Sequence, residues 1–161
     1  MQTLQHIPLW VLFLFIGLVT LGWLQTRTRQ VHKRQLLGAK VALTVVTLIS
    51  VVQLWWPTPW LAIALISWAL TGLFVSWALS QSAAPAGASY NPATQRFTLP
   101  GSGWPLALFM AIFACKFVVG TLSAIAPETL RSVQAAIGIS ALYGLLSGIV
   151  IARVWRFLKL Q

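Results

Sequence analysis

The chain has 161 residues, of which 58% are hydrophobic and 7% charged, and eleven Lys and Arg against one acid give a net charge of +10. Soluble domains carry about 25% charged residues, so the composition excludes an ordinary water-facing globule. The lone acid, Glu128, also excludes paired-carboxylate catalysis and Asp/Glu metal cages, and the charges are too few for a nucleic-acid footprint.

A spanning helix needs about 20 apolar residues. Five stretches qualify, which predicts an all-α integral membrane protein forming a single transmembrane domain over 1–161. The first span, 7–24, holds no charge. No basic residue precedes it and no small-residue cleavage site follows, so it reads as a retained anchor and not as a signal peptide. Arg27, Arg29, Lys33 and Arg34 come next and read as a topology determinant lying against anionic headgroups. The second span, 36–56, carries Lys40 near its start and stops at Pro57-Thr58-Pro59, because two prolines so close cannot continue a helix. The third span, 60–79, is uncharged and has Trp68 at its middle, where the indole N–H calls for a neighbouring helix.

The loop 80–103 is the only sizeable polar segment. Its first part, from Ser82 to Ala88, reads as a flexible linker. Ser89-Tyr90 and the run Arg96-Phe97-Thr98-Leu99 then suggest a small hairpin around a turn at 91–94. Such a hairpin is marginal alone and would have to rest on helix ends or the lipid surface.

The fourth span, 104–125, contains Lys116, and the fifth, 132–154, ends with Arg153, followed by Arg156 and Lys159. Between them, Pro127 and Glu128 with Arg131 form ordinary helix-start chemistry. Five crossings put the loops after spans one and three and the C-terminal tail on one side, which then holds most of the positive charge. The positive-inside rule therefore predicts the N-terminus outside and the C-terminus in the cytoplasm. Trp10, Trp23, Trp55, Trp56, Trp60, Trp77, Trp104 and Trp155 fall at or near predicted helix ends, as interfacial belts do.

Lys116 lies twelve residues into its span, so roughly 18 Å along the axis and near the bilayer midplane. An ionisable group at that depth is expensive and is a functional candidate by default. No acid in any span can pair with it, which leaves loss of its proton, snorkelling to an interface, or contact with hydroxyls or a bound anion. The nearby hydroxyl candidates are Ser123, Ser140 and Tyr143, and Tyr143 and Ser140 join Lys116 in a candidate ligand-binding set. In the fifth span, Ala136, Ser140, Gly144, Gly148 and Ala152 recur every four residues and form a small-residue seam. Such a seam suits close helix packing, within this chain, in a homo-oligomer or with another membrane protein.

His6 and His32 flank the first span at opposite ends and cannot share one haem. With a single Cys, Cys115, and only two Met, no metal-ligand spacing appears, so no metal or cofactor is expected. No nucleotide fingerprint or hydrolytic triad is present either. The resulting expectation is a non-enzymatic structural or accessory membrane subunit whose partners are the bilayer and, through the fifth span, a second copy or another membrane protein, not nucleic acid. A small transporter or binding protein using Lys116 for an anionic or polar group is the alternative. A membrane-embedded lipid enzyme stands third, lacking a recognisable nucleophile or base.

Several segments carry a resemblance. They are His6-Ile7-Pro8-Leu9-Trp10-Val11, Gln25-Thr26-Arg27, Phe97-Thr98-Leu99-Pro100-Gly101-Ser102, Trp104-Pro105-Leu106, Phe113-Ala114-Cys115-Lys116 and the stretch 140–148, together with Arg153. In these the chain resembles, over essentially its whole length, small proteobacterial inner-membrane proteins of unknown function. Ile7 and the position of Trp104 depart from the pattern. The resemblance implies no activity and no catalytic residue, but it groups Arg27, Lys116, Tyr143 and Arg153 as residues worth testing.

Overall fold

In the computed structural model, residues 16–17, 19–20, 22–23, 26–82, 86–92, 94 and 96–159 are described. The expectations placed on His6, Trp10 and most of the first span fall outside them. The described positions between 16 and 23 are helical. They pack near the start of the fourth predicted span, where a Cβ on Gly22 would lie 2.9 Å from Leu106 Cβ.

Four long helices follow among the described residues: α1 (Lys33–Trp55), α2 (Leu61–Ser80), α3 (Trp104–Ile125) and α4 (Val133–Leu158). Local chemistry sets their ends. Thr58 donates from Oγ1 to the Trp55 carbonyl (2.7 Å), and Pro57 and Pro59 keep the chain out of helix until α2 begins. Pro105 sits in the first turn of α3, where its missing N–H is harmless. Ser132 caps α4, its hydroxyl accepting from the Ala135 N–H (3.2 Å) after a 3-10 turn at Pro127–Arg131. Helix α4 runs to Leu158, beyond the expected end at 154, and α1 starts at Lys33, ahead of the expected 36.

Helices α2, α3 and α4 are long and apolar enough to cross a membrane, and the apolar part of α1, Lys40–Trp55, is shorter. Ile66, Leu70, Leu73, Phe74 and Trp77 on α2 and Phe117 and Val118 on α3 point outward, exposed. Helix α4 is the hub, burying Ala136, Ser140, Tyr143, Gly144, Ser147, Gly148, Val150 and Ala152.

The closest approach is between α2 and α4. A Cβ on Gly144 would overlap the Trp68 carbonyl oxygen, and one on Gly148 would lie 2.6 Å from the Gly72 oxygen and 2.8 Å from Val75 Cβ. From the other side, a Cβ on Gly72 would sit 3.3 Å from the Gly144 oxygen. Only glycine lets the two backbones meet at this crossing, and the contact is van der Waals packing that apolar solvent cannot replace. Helix α2 carries its own buried small residues for this purpose, Ala64, Gly72 and Ser76. The small-residue seam of α4 is therefore filled by α2.

The fold is not purely helical. Residues Arg29–His32, expected as part of a basic loop, form strand β1, which pairs antiparallel with β3 (Arg96–Leu99). The expected hairpin is present as β2 (Ser89–Asn91) on the other side of β3, giving the order β1-β3-β2. Thr94 N–H reaches Asn91 Oδ1 (3.4 Å) within the turn. Alternation of side chains puts Phe97 and Leu99 on one face, where they meet Phe157 from the last turn of α4 in a small second core. Tyr90 covers Phe97 from the neighbouring strand, ring centroids 4.7 Å apart. The extra turn of α4 thus has a structural reason: it anchors the sheet on the bundle end.

Candidate functional site

The end of the bundle that carries the sheet collects the basic residues. Lys159 Nζ donates to the Ser80 carbonyl (2.7 Å) and ties the end of α4 to the end of α2. Arg153 places its guanidinium 5.8 Å from the Phe157 ring centroid, over the small core. Arg156 keeps Nε buried without a partner among the described residues. Arg27, Arg34 and Arg96 are exposed at the same end. Arg29 is placed as the first residue of β1 and Lys33 as the first of α1. The opposite end holds Arg131, bound to Glu128 at 2.8 Å, and its carbonyl accepts from Trp60 Nε1 (3.0 Å).

Gly101, in the Pro-Gly-Ser turn that leads into α3, also belongs to the sheet end. A Cβ there would overlap the Thr26 carbonyl oxygen, and its own N–H reaches Thr28 Oγ1 (3.4 Å). The turn is a close-contact point between the segment after the first span and the start of α3, which requires glycine.

Lys116 is exposed on α3. Tyr143 and Ser140 are buried in α4 at 2% and 0% exposure, so the three are not gathered around one internal cavity. It is Cys115, the residue before the lysine, that turns inward, buried in the same core cluster as Tyr143. The Ser140 hydroxyl and the indole nitrogen of Trp68 are both buried and unpartnered among the described residues. Trp68 packs against the core as expected, but through its ring and backbone instead of its N–H. Trp55 departs from the interfacial pattern: it is 1% exposed and part of the core, whereas its neighbour Trp56 is outside.

Two features escape sequence reasoning. Thr47 of α1 and Ser147 of α4, both buried, meet hydroxyl to hydroxyl at 2.6 Å. The second is a lateral groove of about 250 Å³ between α1 and α4, lined by Leu37, Val41, Val45, Ile151 and Trp155, with Lys40 among its walls. A second groove, about 340 Å³, runs between α3 and α4 over Ala111, Ala114, Cys115 and Ile139 and is apolar throughout. At the far end, Trp55, Thr58, Trp60, Ser123 and Arg131 line a wider depression of about 420 Å³.

Comparison with curated proteins and with solved structures gives no match. A family model does match, along the whole chain and including every residue of both grooves. Over residues 1–161 the sequence fits the Family of unknown function (DUF6622), and the chain belongs to that family.

Proposed function

We propose that this chain is a multi-pass inner-membrane protein with five spans, N-terminus outside and C-terminus in the cytoplasm, that serves as a non-enzymatic accessory subunit of a membrane assembly. The outward apolar side chains of α1, α2 and α3 support embedding in lipid. The orientation is supported by the segregation of charge: Arg27, Arg34, Arg96, Arg153, Arg156 and Lys159 lie at the sheet end, against the Arg131–Glu128 pair at the other.

The observation that carries the accessory reading is the exposure of Lys116 at mid-length on α3. A lysine facing lipid at that depth costs about 2.5–3.5 kcal/mol, and a neighbouring helix that offers it a polar group offsets this. The α4 seam is already occupied by α2, so the outward face of α3 that carries Lys116 is the one where a polar partner would matter. A photo-crosslinking residue at Phe117, exposed next to the lysine, tests it. One defined protein adduct that disappears with Lys116→Leu, and is absent when the probe sits at Leu70 on α2, supports the reading. Adducts to lipid alone from both positions overturn it.

A further inference from the structure

Helix α3 presents one outward stripe that the other described residues leave uncovered. Lys116, Gly120 and Ala124 follow one another at four-residue spacing, and all three are exposed. A Cβ built on Gly120 meets nothing within 4 Å among the described residues, so a notch open to a second backbone lies one turn beyond the lysine. Phe113 and Phe117 stack on the same side of the helix, ring centroids 6.3 Å apart. Lys116 lies about 18 Å along the axis from Trp104 and about 14 Å from Ile125. Both distances exceed the reach of a lysine side chain, so snorkelling does not bring its ammonium to a headgroup phosphate.

The chain does not supply the missing counter-charge. Lys116 has no hydrogen bond or ion pair among the described residues. The only acidic side chain, Glu128, sits beyond the end of α3 and is paired with Arg131. The first span, whichever face it covers, has neither acid nor hydroxyl from residue 7 to residue 19. Thr121 and Ser123 turn their hydroxyls back onto the Phe117 and Val119 carbonyls (2.9 and 2.8 Å). A second copy laid on this stripe would set lysine against lysine at equal depth, and like charges oppose that pairing.

We propose that this stripe docks a spanning helix of a different protein, one that carries an Asp or Glu near its middle, and that the carboxylate pairs with the Lys116 ammonium beside Gly120. An ion pair in hydrocarbon removes two unpaired charges at once. The open glycine lets the partner backbone come close enough for a short acidic side chain to meet the lysine.

The proposal rests on the accessory reading above and names the chemistry of the partner. The test uses the full-length protein in phosphatidylcholine vesicles, titrated with dansyl-labelled synthetic Leu-rich spanning helices whose central residue is Glu, Leu or Lys. Energy transfer from the nine tryptophans reports association. The wild type is expected to hold the Glu helix about tenfold more tightly than the Leu helix. Lys116→Leu abolishes that preference, and Lys116→Glu reverses it in favour of the Lys helix. Gly120→Leu, at a position whose Cβ has open space, weakens binding of the Glu helix. Equal binding of the Glu and Leu helices by the wild type, or a preference that survives Lys116→Leu, overturns the proposal. In cells, the protein crosslinked from Phe117 is expected to carry an acid inside one of its spans. An adduct to a second copy, or to a protein whose spans hold no acid, refutes the carboxylate partner and leaves the accessory reading standing. Adducts to lipid alone refute both.

Discussion

Thr47 Oγ1 and Ser147 Oγ lie 2.6 Å apart across the α1–α4 interface, each nearly inaccessible. Each hydroxyl also lies within reach of a carbonyl on its own helix, Thr44 for Thr47 (2.8 Å) and Tyr143 for Ser147 (2.9 Å). One proton goes to a carbonyl and the other bridges the helices, so the pair is satisfied in either arrangement. Interhelical hydrogen bonds of this kind contribute about 0.6 kcal/mol on average and up to about 1.7 kcal/mol. A double-mutant cycle with Thr47→Val and Ser147→Ala, read by unfolding in detergent, is expected to give a coupling energy in that range. A coupling of zero means that the bridge does not tie α1 to α4.

The α2–α4 crossing predicts a sharp contrast between glycines on one helix. Gly144→Val and Gly148→Leu push side chains into the Trp68 and Gly72 backbones, where nothing flexible can give way. Each is expected to cost at least the 1–3 kcal/mol or so of an overpacked core, and to separate the helices. Gly138, also on α4, has nothing within 4 Å of a built Cβ, so Gly138→Ala leaves stability unchanged or raises it through helix propensity, by up to about 1 kcal/mol. Thermal melts of the three variants check this, and equal melting points for Gly144→Val and Gly138→Ala contradict the packing account.

Phe157 predicts that the sheet depends on the helix beneath it. Phe97 and Phe157 are almost wholly buried against each other with Leu99, and a small sheet without a packed face is marginal. Phe157→Ala is expected to cost about 3 kcal/mol locally, undocking the sheet while the helices persist. Hydrogen exchange reads this directly. The amides of Arg96–Leu99 should lose protection, and those of α2 should not.

The helices were legible because apolar runs of span length, prolines at 57 and 59, and Pro105 and Pro127 at helix starts act locally. The hairpin was legible for the same reason, as Phe97 and Leu99 alternate with polar neighbours around a turn. Strand β1 was not, because Arg29-Gln30-Val31-His32 has one apolar residue and becomes a strand only when β3 offers its free edge. The α4 seam was visible as spacing, but its partner was not, since Gly72 is a lone glycine in an apolar run until the helices are set side by side. Lys116 and Tyr143 suggested a pair by composition. Helical geometry separates them, because neighbouring residues point about 100° apart and it is Cys115 that faces α4.

Helix α3 is the one segment between Ser89 and Thr129 that could carry the chain across a bilayer, so those two positions decide whether it crosses and which way. Both residues are exposed, and Cys115 is the only native thiol. In a Cys115→Ser background, Ser89→Cys should resist an impermeant maleimide in intact cells and react once the inner membrane is opened. Thr129→Cys should react from outside in intact cells. The reverse pattern inverts the orientation drawn from the charges, and it would set Arg27, Arg96 and Arg156 against the positive-inside rule. Labelling of both positions from the same side removes α3 as a span. Lys116 would then lie in water at no cost and would need no neighbouring helix.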